Sequence, residues 1–190
     1  MKTSIRALLL TWFLIAILPG LSQALSAIRY EEAKAAISKG AVLVDVRSEE
    51  KYNKGHLPGA LNVPFVEMMD NTQHLLPPED LAAILSDYGV GKQPRTIVYG
   101  KRGSLHATYM GWILYYLGAD NTLVFTGGID DWAGRGGEMS SEKAKAQPAE
   151  FKPDIRKGSR VDAEFVKKHL DTGDVTILDV RSAGEYFGQD

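Results

Sequence analysis

Between the apolar run Thr96-Ile97-Val98-Tyr99 and a helical pattern from about Ser104 to Leu117 lies the segment Gly100-Lys101-Arg102-Gly103-Ser104-Leu105-His106. A short loop leading from a strand into a helix gathers backbone N–H groups and the positive end of the helix dipole, a setting that suits an anion. Lys101 and Arg102 add two cations, and Ser104 and Thr108 add hydroxyls. A hydroxyl attacks only where a base lowers its barrier, and no such base stands nearby in the sequence. The 190 residues contain no cysteine, so a thiolate nucleophile, a thiolate metal site and a disulfide are all excluded within them. The four histidines, at 56, 74, 106 and 169, have no metal-ligand spacing. No metal and no cofactor is expected.

A second group of residues follows the run Val42-Leu43-Val44-Asp45-Val46. Asp45 and Arg47 stand at the end of this strand pattern, where open α/β sheets gather their functional loops. A charged pair there can order a neighbouring loop through charge-assisted hydrogen bonds, and it is read as a structural pin onto the turn Gly55 to Ala60. His56, between Gly55 and the Pro58-Gly59 turn, is read as closing that turn rather than as a base.

The elements that must hold these groups alternate. Helical spacing covers Ala27 to Lys39, ended by Gly40, and Ser48 is placed to cap a short helix through Tyr52. Leu61-Asn62-Val63 is a brief strand. Pro77-Pro78 opens a helix with Leu81, Ile84, Leu85 and Tyr88 on one face. Thr122 to Phe125 is another strand, followed by Gly127-Gly128 and a short helix around Trp132. Strands separated by helices imply an α/β fold: a parallel sheet with helices on both faces.

Lys2 and Arg6, the apolar run Ala7 to Leu18, Pro19-Gly20 and Ser22-Gln23-Ala24 read together as a signal peptide cleaved after Ala24. The apolar run falls short of the ~20 residues a membrane span needs. Export is therefore expected, to the periplasm or the exterior, with no membrane attachment after cleavage. A composition of 44% hydrophobic and 24% charged residues is that of a globular protein, and a net charge of −2 offers no footprint for nucleic acid. Residues 25–134 read as one domain. Residues 135–159, with Arg135-Gly136-Gly137 at their start, read as a linker rich in Gly, Lys, Ala, Pro and Ser. From residue 160 the opening pattern returns: Thr176-Ile177-Leu178-Asp179-Val180-Arg181-Ser182 matches Val42 to Ser48. Asp179 and Arg181 are thus the counterparts of Asp45 and Arg47, and residues 160–190 read as the truncated start of a second copy.

The run Leu43 to Arg47 followed by Gly55-His56-Leu57-Pro58-Gly59-Ala60-Leu61-Asn62-Val63-Pro64 resembles the opening signature of rhodanese domains. Ile97-Val98-Tyr99 with its glycine-containing loop, and Val124-Phe125-Thr126-Gly127-Gly128 with Trp132, resemble the remaining landmarks. The resemblance implies that the loop starting at residue 100 is the active-site loop, whose first position is a cysteine that accepts sulfane sulfur. Here that position is Gly100. Gly103 fits the pattern, and Leu105 stands where active members often carry arginine. No residue of this chain is therefore expected to be catalytic. Tandem thiosulfate and 3-mercaptopyruvate sulfurtransferases typically keep the cysteine in their carboxy-terminal domain. The resemblance thus implies the amino-terminal portion of such an exported enzyme, its partner being the carboxy-terminal rhodanese domain. The alternative is a finished non-catalytic module that binds a thiosulfate-like anion or a protein.

Overall fold

The computed structural model describes residues 25–189, so the signal-peptide reading of residues 1–24 lies outside the described residues. Five parallel strands form one sheet in the order β1-β5-β4-β2-β3, with β1 at Ser26–Ile28, β2 at Val42–Asp45, β3 at Leu61–Asn62, β4 at Thr96–Tyr99 and β5 at Thr122–Phe125. β2 and β4 are central and nearly all buried, and a strand covered on both faces reads as a continuous apolar run. The register aligns Val44, Val98 and Val124 in one row and Leu43, Ile97 and Leu123 in the next. Because side chains alternate across a strand, the two rows enter different cores.

The valine row packs with α3 (Pro78–Asp87), α4 (Leu105–Tyr116) and a 3-10 turn at Phe65–Met68; Leu81, Leu85, Met110, Ile113 and Leu114 are fully buried there. The opposite face is covered by Ala33 and Ala36 of α1 (Tyr30–Ile37), Tyr52 of α2 (Glu49–Asn53) and Trp132 of α5 (Gly128–Gly134). Helices therefore cover both faces, as the alternating pattern requires.

Two local readings are corrected. Ala27 and Ile28 belong to strand β1 and not to the first helix: Ile28 is buried on the β5 edge, and the helix starts at Tyr30, where the Glu32 carboxylate accepts from Arg29 N at 2.9 Å. Ser48 occupies the N-cap of α2 but makes no side-chain cap hydrogen bond.

Residues 137–157 hold no helix or strand beyond an isolated bridge, yet they lie along the domain surface as a strap. Ser140 and His56 exchange backbone hydrogen bonds of 2.8 and 2.9 Å, Phe151 is buried, and Asp154 N donates to Leu117 O at 2.9 Å. Beyond the strap, no described residue from 160 to 189 is buried. Short helices α6 (Ala163–Lys168) and α7 (Ala183–Phe187) form there, but Thr176–Val180, expected as a strand, is not one. A strand forms by lateral pairing, and β2 has β3 and β4 beside it while Thr176–Val180 pairs with no strand among the described residues; Leu178 and Val180 are left 78% and 92% exposed.

Candidate functional site

The loop Gly100 to Ser104 leaves the carboxyl end of central strand β4 and is braced from the next crossover. Gly103 N donates to Thr126 O and Ile129 N to Gly100 O, both at 2.9 Å, and the Arg102 N–H donates to the Asp130 carboxylate at 2.7 Å. Gly128 makes this approach feasible: its φ is +57°, and a Cβ there would lie 2.4 Å from Gly100 O. Gly127 is the N-cap of α5. Trp132 packs against Tyr30 and Phe125 and donates from Nε1 to Glu138 O at 2.8 Å.

Ser104 caps α4, its Oγ accepting from Ala107 N at 3.2 Å. The same hydroxyl fills the space beside Gly100: a Cβ on Gly100 would stand 2.6 Å from Ser104 Oγ and 3.3 Å from Val46 Cγ2. Arg102 turns toward α5 and reaches Asp131 at 3.5 Å. His106 stacks on Phe65 with ring centroids 4.6 Å apart, and Leu105 is 82% exposed. A cavity of about 370 Å³ opens beside the loop, lined by Arg47, Lys51, Lys101, Ser104, Phe65 and His106 among others. A larger cavity of 510 Å³ adjoins it across Ser48 and Pro64, contains no loop residue and is walled by the strap.

Asp45 ends β2 in register with Tyr99, the residue before the loop, and is fully buried. Arg47 meets it twice, Nε to Oδ1 at 2.9 Å and Nη2 to Oδ2 at 2.6 Å, and Nη2 also donates to Gly55 O at 2.7 Å. The pair therefore ties the strand end to the turn. Burial works against the Arg47 charge, but the hydrogen bonds and charge of Asp45 outweigh it and hold the guanidinium above its ordinary range. Tyr99, the last residue of β4, completes the cluster: Leu57 N donates to its oxygen at 3.1 Å, and burial followed by the Asp45 charge pushes its phenol well upward. Asn62 Nδ2 donates to Asp45 O and Arg47 O at 3.1 and 2.8 Å. Tyr99 and Asn62 were not legible as members of the cluster; a polar side chain at a strand end, next to an Asp on the neighbouring strand, is the only signal the sequence offers. Gly59 sits in the turn with φ +75°. His56 is buried, hydrogen-bonded to Tyr52 O and Glu142 O.

The second Asp-Val-Arg-Ser reproduces the first. Arg181 Nε to Asp179 Oδ1 is 3.0 Å and Nη2 to Oδ2 is 2.6 Å, and Ser182 caps α7 by accepting from Glu185 N at 3.2 Å.

A central parallel strand that feeds a glycine-containing loop into a helix, with an Asp–Arg pair at the end of the neighbouring strand, defines an α/β domain whose candidate site lies at the carboxyl edge of its sheet. Residues 29–135 match the rhodanese-like domain family, and the chain belongs to it. It is 26% identical over 148 residues to a thiosulfate sulfurtransferase of Cricetulus griseus, covering 75% of this chain and 50% of that protein. It is 30% identical over 159 residues to a putative thiosulfate sulfurtransferase of Synechococcus elongatus, at 80% and 49% coverage. Against human 3-mercaptopyruvate sulfurtransferase the identity is 26% over 150 residues, at 76% and 50% coverage. The chain thus spans about half the length of the curated relatives it matches. Among solved structures, a 3-mercaptopyruvate sulfotransferase of Escherichia coli superposes with a TM-score of 0.76 at 20% identity, covering 86% of this chain and 68% of that one. At that identity the likeness speaks for the fold.

Proposed function

We propose that residues 25–135 are the non-catalytic rhodanese domain of an exported tandem sulfurtransferase, and that the residues from 160 onward begin its second domain. The observation that carries this reading is the repeated pair: Asp179 and Arg181 take up the geometry of Asp45 and Arg47 while lying 31% and 56% exposed at the side chain, as a strand end would before its neighbours cover it. The whole enzyme would move sulfane sulfur from thiosulfate or 3-mercaptopyruvate to a thiophile. That chemistry runs through a cysteine thiolate, which Gly100 does not supply. Ser104 Oγ, standing where a residue-100 side chain would project, supports a loop adapted to the absence of the thiol.

The test is cyanide-dependent thiocyanate formation from thiosulfate. The chain should show none above the buffer blank, and Gly100→Cys should restore at most a trace, because the new side chain meets Ser104 and Leu105 supplies no cation. Misplacement by ~1 Å can cost 10²-fold in rate. Repurified wild-type chain with clear turnover overturns the reading.

The cavity beside the loop favours a second reading, a module that binds a thiosulfate-like anion. Lys51 and Lys101 line it, together with Ser104 at the start of α4. Amide shifts at residues 100–104 should move on sulfate titration and be attenuated by chloride; no movement at tens of millimolar sulfate removes this reading.

A further inference from the structure

His56 has no exposed surface, and both of its ring nitrogens face acceptors. Nδ1 lies 2.9 Å from Tyr52 O and Nε2 lies 3.0 Å from Glu142 O. A backbone carbonyl can only accept, and a neutral imidazole carries one N–H. Both contacts are satisfied together only when the ring carries two. In the neutral ring one contact sets a nitrogen lone pair against a carbonyl lone pair, and one of the two must open.

The two carbonyls differ in how firmly they are held. Tyr52 O belongs to α2 and also receives Gly55 N at 3.0 Å. Glu142 O belongs to the strap, which has no regular structure around it. The contact that yields is the one to the strap. We propose that His56 is a proton-operated latch: the doubly protonated ring clasps the strap at Glu142, and loss of one proton releases it. The strap supplies Lys143, Ala144 and Ala146 to the wall of the 510 Å³ cavity, so the latch sets how open that cavity is.

The His56 ring stacks on Tyr52 with centroids 3.6 Å apart and planes 6° apart, presenting a π face to the charge. Arg47, through Gly55 O, and Asp45 form a paired unit behind the turn, and Tyr99 holds Leu57 N. On the strap side, Lys143 pairs with Glu49 at 2.6 Å, and Ala144 N donates to the Tyr52 hydroxyl at 3.3 Å. The Glu49 carboxyl is held below its ordinary range by Lys143, so this exposed pair weakens only as pH falls through the carboxylate region. The latch has the opposite sign. The closed strap is the form that holds the extra proton, so acid favours it.

The experiment uses the full 190-residue chain, labelled with ¹⁵N, between pH 5.5 and 8.5. The expected result is two protonated His56 ring nitrogens in acid. As pH rises, Nε2 should lose its proton while protection of the Ala144 amide falls about tenfold or more beyond the intrinsic exchange change, and amides of β4 keep theirs. His56→Gln carries its NH2 donors on one end and an oxygen acceptor on the other and has no titrating proton, so it should lower Ala144 protection in acid and abolish its pH dependence. Should that variant not fold, the wild-type ring shifts and exchange decide alone. A neutral single-tautomer ring throughout, with Ala144 equally protected at both ends, overturns the proposal. Retained thiosulfate or sulfate behaviour would not rescue it, since neither depends on the strap.

Discussion

Asp45 and Asp179 each grip an arginine two residues on, through the same three atoms, in opposite surroundings. Asp45 is fully buried, with its arginine 14% exposed at the side chain, whereas the Asp179 pair lies in water. Removing one member of a buried pair strands the other charge, at a cost of about 3–5 kcal/mol, whereas an exposed pair contributes little. Asp45→Asn should therefore lower the unfolding free energy by about 3 kcal/mol, the low end because Arg47 retains some solvent. Asp179→Asn should leave the urea midpoint unchanged. Equal effects of the two substitutions would mean that the Asp179 pair is packed as tightly as the Asp45 pair. The pair itself was legible from Asp-Val-Arg after an apolar run. Its partners were not, because Tyr99 and Asn62 reach Asp45 only through the register of β4 and β3 against β2, which no local pattern encodes.

At the level of elements, the loop owes its shape to a neighbour in space. The start of α5 presses on it, with Gly128 so close that a Cβ would lie 2.4 Å from Gly100 O and 2.7 Å from the Lys101 carbonyl carbon. Its φ of +57° adds backbone strain for any L side chain. Gly128→Ala should thus destabilise by about 2 kcal/mol or more and shift the amide resonances of residues 100–103, since both terms act at one point. Unmoved loop amides would show that the β5–α5 turn does not set the loop. That a strand-to-helix loop exists here followed from periodicity, and so did a helix from about Ser104 to Leu117, whereas the capping role of Ser104 did not. The α5 bracing was hidden, as was β1, whose two apolar residues fit a helix start equally well until the free edge of β5 is known.

Across the whole molecule the question is how far the folded unit extends. Composition alone puts a boundary near Gly134, because the following residues have no period. A lack of period does not mean a lack of contact: Phe151 is buried, its N–H bonds Ser86 Oγ at 3.0 Å, and Arg156 lies over the Tyr115 ring at 4.1 Å while pairing with Asp120. Burying one phenylalanine is worth about 1.5–3 kcal/mol, and the Ser140 bridge and the His56–Glu142 contact add to it. Residues 160–189 contribute no buried side chain, and Leu178, Val180, Tyr186 and Phe187 are all exposed. Trypsin should accordingly cut first at Lys157, Arg160, Lys167, Lys168 and Arg181, leaving a product that ends near Arg156. A chain of residues 25–158 should melt with the full chain, whereas residues 25–135 should lose several kcal/mol, as Phe151 and the strap hydrogen bonds are removed together. A tail whose amides exchange as slowly as those of β4 would contradict this division and weaken the reading of residues 160–189 as the uncovered start of another domain.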